Sequence, residues 1–232
     1  MELKMWRFCK MISNQDLKKK ALDGLANNWG KGVGSGILLY VIIIFIALVL
    51  HVFILLLTYP TEEDLALLIT MGIVYIICYT FFMPLFVGTS WMYLHLVRQE
   101  HAPFSLMFTT FRFFPKLFTT GLLKMVLVAL WSLLLIIPGI LRYYSYSQTI
   151  YILKDEPDLS AMEAINESKR RMEGKRGKLF LMQSSFIGWY LLGSFTTISH
   201  LWSYPYYKTT RAGFYESYIK RENLIEAEVQ SR

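Results

Sequence analysis

From Val33 to Thr58 the chain carries no Asp, Glu, Lys or Arg, and from Leu65 to Val97 it again carries none. A helix needs roughly 20 apolar residues to cross a hydrocarbon core, so both runs are long enough to span a membrane. Composition agrees: 18% of the 232 residues are charged, against about 25% in average soluble domains. The expected fold is all-α and polytopic. Further spans are expected at Lys116–Ile137, Gly139–Leu153 and Lys178–His200, with a sixth from Pro205 to about Ile219. Pro84 lies inside the second run, where a proline removes a backbone hydrogen bond and predicts a kink.

The stretch Leu130–Pro157 supplies the pattern for the rest. An apolar run climbs to Pro138-Gly139, and a tyrosine-rich run descends from Ile140 to Lys154-Asp155-Glu156-Pro157. It reads as a helical hairpin turned at Pro-Gly. The same order recurs three times: an amphipathic helix ending at Lys31, Lys116 or Lys178, a rising span, and a proline-marked helix ending in a basic and an acidic residue. Pro84 leads to Arg98 and Glu100, Pro138 to Lys154 and Glu156, Pro205 to Arg221 and Glu222. The whole chain, 1–232, is thus expected to be one integral membrane domain of three hairpin repeats (14–100, 101–157, 158–222) with a tail at 223–232.

Three amphipathic stretches precede the hairpins. In Asn14–Lys31, Leu17, Ala21, Leu25 and Trp29 form one face beside Lys18, Lys19 and Lys20, a pattern suited to the headgroup layer. In Phe104–Phe114, the residues Phe104, Met107, Phe108, Phe111 and Phe114 share a face. Ser160–Arg176 opens with a capping box, Ser160 and Glu163. Its acids crowd the start and its bases the end, as the helix dipole favours. Gly30, Gly32, Gly34 and Gly36 follow no strand and precede no Lys-Ser/Thr, so they read as close-packing positions and not as a phosphate loop.

Net charge is +7, but the placement of the bases excludes a nucleic-acid partner. With six spans and cytoplasmic termini, all of the 24 lysines and arginines fall on the inner side except Lys124, Arg142, Lys208 and Arg211, as the positive-inside rule requires. The opening MELKMWRFCKMISNQ lacks the apolar core of a cleavable signal, so the first span is expected to serve as an uncleaved one. The expected location is a plasma membrane, with both termini cytoplasmic and anionic lipid headgroups as partners. A membrane-protein partner or a second copy of the chain stays open.

Chemistry is sparse. Two cysteines are too few for a disulfide framework or structural metal site. His51, His95, His101 and His200 form no metal-binding pair, and every Asp and Glu falls in a loop, an amphipathic helix or a span end. No catalytic residue, cofactor or metal is expected. The candidate site is cationic and aromatic: Arg142, Tyr143, Tyr146, Lys208 and Arg211, placed near the outer surface as a shallow site for an anionic headgroup or a peptide. The competing interpretation is an ordinary aromatic belt with snorkelling cations. Lys124, about eight residues into the third span, raises a second option, a polar interior lined by Lys124 and helix-end serines.

The chain also resembles a large, uncharacterised family of bacterial integral membrane proteins. The motifs are Leu130-Trp131-Ser132, Ile136-Ile137-Pro138-Gly139-Ile140 and Tyr144-Ser145-Tyr146-Ser147, then Ala164-Ile165, Ser168, Met172, Gly174 and Lys175. Lys178-Leu179-Phe180, Ser185-Phe186-Ile187-Gly188-Trp189, Trp202, Pro205-Tyr206 and Phe214-Tyr215 complete them, over about the C-terminal half. Where relatives place a glycine-containing turn, this chain has Ile198-Ser199-His200. The Ile-Pro-Gly hairpin is more loosely similar to the membrane domain of some glycerophosphodiester phosphodiesterases. The resemblance implies six helices, a bacterial plasma membrane as the location and a role at the cell envelope, with no established activity. The expected function is non-enzymatic: binding lipid or a membrane partner, in protection against membrane-active peptides or in assisting export. A small transporter or channel is the alternative, and a lipid-acting intramembrane enzyme a third.

Overall fold

The computed structural model describes residues 13–58, 64–189, 191 and 197–220, and these contain helices and no strand. The helices are α1 (Asn14–Leu25), α2 (Trp29–Thr58), α3 (Asp64–Val97), a single turn α4 (Leu106–Thr109), α5 (Phe114–Leu134), α6 (Ile136–Ser145), α7 (Thr149–Asp155), α8 (Ala161–Arg171), α9 (Arg176–Ser184) and α10 (Thr197–Phe214). A 3₁₀ turn, Thr110–Phe113, precedes α5, and a π-helical turn, Tyr215–Lys220, follows α10. The expected acidic loop at 59–63, the pair Arg221 and Glu222, and the tail at 223–232 lie outside the described residues.

Two segments, Trp29–Leu56 and Leu106–Leu134, are long and apolar enough to cross a membrane. Their apolar side chains face outward: Ile44 is 63% exposed, Leu56 73% and Leu133 83%. Exposed apolar side chains recur from Ile37 to Leu56 in α2, Leu65 to Phe86 in α3, Leu122 to Leu134 in α5 and Ile136 to Tyr143 in α6. They continue at Phe180, Leu181, Ile187, Trp189 and Leu191, and at Leu201 and Trp202 of α10. Beside this belt lies a packed body whose core joins Leu17 and Leu25 to Met92–Leu94, Tyr151, Ile152, Leu179 and Phe214–Tyr215.

The amphipathic helix α1 is covered otherwise than expected. Ser13 caps it reciprocally with Asp16, whose backbone N–H donates to the Ser13 hydroxyl at 3.1 Å. Its stripe of Leu17, Ala21 and Leu25 is buried, but the cover is protein, because α1 packs on α3 and α10. A Cβ on Gly24 would lie 3.2 Å from the Leu96 carbonyl oxygen. Lys20 donates to Ser217 at 3.2 Å, and Lys18 sits over the Phe186 ring at 4.8 Å. The stripe expected to face lipid is covered by protein instead, because an apolar stripe binds a protein groove by the same burial that would bind lipid.

The glycines at the foot of α2 divide by face. A Cβ on Gly32 would meet Pro205 and one on Gly36 would meet Tyr204, both at 3.3 Å, whereas Gly30 has open space. The close approach to α10 therefore uses Gly32 and Gly36. Nearby, Tyr93 donates to the Gly32 carbonyl at 2.9 Å and Ser35 lies 3.0 Å from the Tyr93 hydroxyl. Helix α3 runs unbroken through Pro84.

The central hairpin forms, with its reversal displaced. The chain turns at Leu135, the one extended residue between α5 and α6 (φ −160°, ψ 143°). Pro138 and Gly139 fall in the first turn and a half of α6. Proline fits there because its fixed φ is helical and the first N–H groups of a helix have no intrahelical acceptor. Gly139 lets the arms touch, since a Cβ would come within 2.9 Å of Ser132 Cα. Two other boundaries also move. Pro205 lies inside α10, so this helix starts before the proline that was expected to open it, and His200 belongs to α10 and not to the fifth span. The expected fourth span, Gly139–Leu153, is broken into α6 and α7.

The ends of α3, α7 and the π-helical turn converge. Arg98 donates to both Asp155 oxygens, at 2.9 and 2.6 Å, and to Glu216 at 2.8 Å. Tyr215 donates to Asp155 at 3.0 Å, and Lys220 lies 3.4 Å from the same carboxylate. Burial alone would raise the pKa of Asp155, but hydrogen bonding and charge from Arg98 hold it below the usual range.

A second ionic group anchors α8. Arg171 reaches Glu156 and Glu167, each at 2.6 Å, and Arg170 reaches Glu167. The bonds from Arg170, then Arg171, pull Glu167 down to about 2 despite its partial burial. A depressed carboxylate stabilises the fold above its unfolded pKa and loses that contribution as pH falls through its folded one. Thermal stability in detergent is therefore expected to fall as pH drops from 4.5, the ordinary glutamate value, toward about 2. Glu167→Gln removes that part of the slope, and an unchanged pH profile in the variant would refute the assignment.

Candidate functional site

The break between α6 and α7 sits in the segment Ser145-Tyr146-Ser147-Gln148-Thr149. Hydroxyl side chains compete with helical backbone bonds for nearby carbonyls, and here they do so repeatedly. Ser147 donates to the Tyr144 carbonyl at 2.8 Å, and Thr149 to the Tyr146 carbonyl at 2.9 Å. Ser145, Ser147, Gln148 and Thr149 are all buried. Buried backbone groups at a break need partners from elsewhere, and two helices supply them. Ser168 of α8 donates to the Ser145 carbonyl at 2.8 Å and accepts from the Gln148 N–H at 3.3 Å. Arg211 of α10 donates from Nη2 to the Ser147 carbonyl at 3.1 Å.

Around Arg211 gather Tyr143, Tyr151 and Tyr207, all close enough to feel its charge. Lys208, one turn earlier on α10, donates to Ser90 of α3 at 3.2 Å and lies 5.6 Å from the Tyr204 ring centroid. Lys124 of α5 and Lys208 both lie within the field of Arg211. Two helices, α5 and α10, thus carry the three cations. Among the described residues none of the three forms an ion pair with a carboxylate.

Polar capacity is left over. Arg211 Nε, the Tyr151 hydroxyl and Gln148 Oε1 are buried atoms without a hydrogen-bond partner, the tyrosine lying beside Ser90 without a well-formed bond. Gln148 and Tyr151 have no exposed surface. An unsatisfied buried polar group costs about 1–3 kcal/mol, and clustered cations repel. An anionic group accepting from Arg211, Lys208 and Tyr151 would relieve both costs.

Of the expected site residues, Lys208 and Arg211 come together and Tyr143 borders them. Tyr146 is buried in the break, where its carbonyl accepts from Thr149. Arg142 stays on the hairpin, stacked over Trp131 at 4.3 Å. Arg211 adjoins the break that Ser168 of α8 caps. Because α10 starts before Pro205, positions 208–211 lie in its second half. Ser90, Ser147, Gln148, Tyr151 and Ser168 were not singled out as site residues. For Ser147 and Gln148 the sequence signal is the polar run Ser145–Thr149 inside an apolar segment, and Ser147 and Ser168 also stand among the motifs.

No curated protein and no solved structure matches the chain. Residues 132–222, which hold the break, the capping helix α8 and both cations of α10, match the family described as Protein of unknown function (DUF975), an uncharacterised family as the motifs of this region imply.

Proposed function

We propose that the chain is a non-enzymatic, multi-pass protein of the bacterial plasma membrane that holds an anionic lipid headgroup at Arg211 and Lys208. The carrying observation is the set of Lys124, Lys208 and Arg211, none paired with a carboxylate among the described residues, beside the buried Tyr151 hydroxyl and Arg211 Nε that lack a hydrogen-bond partner. Six segments enter the exposed apolar belt, in favour of six spans arranged as three hairpins. The basic residues of α1, α8 and the segment before α5 favour cytoplasmic termini. The cluster lies where the belt of α5, α6 and α10 gives way to the packed body, which on this topology is the level of inner-leaflet headgroups.

Purified protein titrated with phosphatidylglycerol and with phosphatidylcholine tests this by native mass spectrometry. Lys208→Gln with Arg211→Gln is expected to weaken phosphatidylglycerol binding roughly 10- to 100-fold, as loss of hydrogen bonds to a charged group predicts, and to leave phosphatidylcholine unaffected. Equal affinity for phosphatidylglycerol in a folded double variant would reject the site. A small-anion transporter is the second reading. The broken helix and Lys124 favour it, because transporters build ion sites from discontinuous helices. Anion flux into proteoliposomes that Lys124→Ala abolishes would select it.

A further inference from the structure

On α10, Leu201, Tyr204, Lys208 and Arg211 recur at intervals of three, four and three and so share one face. The apolar part of that face, with Pro205, forms one wall of a groove against Gly36, Ile37 and Val41 of α2. The groove measures ≈ 340 Å³, within the roughly 300–1,000 Å³ of ordinary ligand sites. Its lining is almost wholly apolar, and Ile37, Val41 and Leu201 are exposed to the surroundings of the belt. Tyr204 is shared: its ring lines the groove, packs edge-on against Tyr93, and carries the Lys208 ammonium 5.6 Å from its centroid. From Leu201 to Lys208 the rise along the helix is about 10 Å at 1.5 Å per residue. An apolar groove open to the belt and a pair of cations therefore follow one another along one helix face, with Tyr204 between them. Both ends ask for the same molecule, apolar at one end and anionic at the other.

We infer that the groove between α2 and α10 takes an acyl chain of the same lipid whose anionic headgroup sits at Lys208 and Arg211, with Tyr204 as the partition between tail and head. This rests on the headgroup reading above and adds the tail to it. The occupant is a membrane amphiphile carrying a phosphate or carboxylate, and not a soluble anion of the same chemistry. The two sources differ in whether the groove matters.

The test uses the full-length protein in detergent and three probes: dioleoyl phosphatidylglycerol, dihexanoyl phosphatidylglycerol and glycerol 3-phosphate. Val41→Trp fills the groove from an exposed position, and Leu201→Trp fills it from the other wall in case the first variant is poorly folded. Either is expected to weaken the long-chain lipid about tenfold and leave the short-chain lipid unchanged, while Lys208→Gln weakens both. Unchanged long-chain binding in both groove variants, with Lys208→Gln still effective, would overturn the tail site and leave the headgroup site standing. Glycerol 3-phosphate binding as tightly as the long-chain lipid would overturn it in favour of a soluble anion. Loss of sensitivity to Lys208→Gln as well would remove the headgroup reading beneath it.

Discussion

Replacing Arg98 by alanine is expected to lower the unfolding midpoint of the detergent-solubilised protein by about 6–12 °C, the largest effect of any single side-chain truncation here. Arg98 holds both Asp155 and Glu216 at hydrogen-bond distance, whereas Lys220 lies 3.4 and 3.9 Å from the same two carboxylates, and Arg98 fixes the end of α3 to the ends of α7 and α10. Its side chain is 12% exposed, that of Asp155 16% and that of Glu216 23%. Removing one partner of a mostly buried pair strands the other charge, which costs about 3–5 kcal/mol when burial is complete. With partial exposure the low end, about 3 kcal/mol, applies, and each kcal/mol moves the midpoint about 2–4 °C in a chain of this size. Arg98→Lys recovers only part of the loss, because a lysine cannot repeat the two-pronged contact with Asp155. A midpoint within 2 °C of the wild type in Arg98→Ala would mean that the three ends are held by packing alone.

Gly88→Ala is the second. A Cβ there would lie 2.8 Å from the carbonyl carbon and from the Cα of Met107, and closer still to the carbonyl oxygen. These are backbone atoms, so no rotamer change makes room. The turn α4 must lift away from α3, where Met107 is fully buried and Thr110 donates to the Pro84 carbonyl at 2.8 Å. Overpacking of this kind costs typically about 1–3 kcal/mol, and the upper end is expected because the obstacle is rigid. Gly30→Ala is the matched control: its Cβ meets nothing, and alanine improves helix propensity by up to about 1 kcal/mol. Equal stability of the two variants would show that α4 is not pressed against α3.

The helical class, the long apolar helices and the pairing of α5 with α6 were legible because long uncharged runs and a Pro-Gly pair leave few alternatives. Finer features were not, for identifiable reasons. The reversal at Leu135 has no local signature, since leucine adopts extended backbone as readily as helix and the proline three residues later suits a first turn. The break at Tyr146–Gln148 depends on Ser168 and Arg211, far along the chain, to complete its hydrogen bonds. A residue-by-residue reading of the descending arm sees the polar run Ser145–Thr149 but not the partners that turn it into a break. In α1 the periodicity of Leu17, Ala21 and Leu25 specifies that a stripe is covered, and is silent on whether lipid or protein covers it. The cations Lys208 and Arg211 were picked out by type, but their level along the helix was misjudged with the start of α10.

The docking of α1 has a consequence for how the molecule is made. Lys20 meets Ser217 across 197 positions, so α1 is synthesised long before part of what covers it. Until α10 is synthesised and inserted, Leu17, Ala21 and Leu25 lack much of their final cover, and a nascent chain in that state is open to degradation or wrong association. A stop codon before position 200 would thus leave a premature product in which α1 lacks the helix that covers much of its apolar stripe.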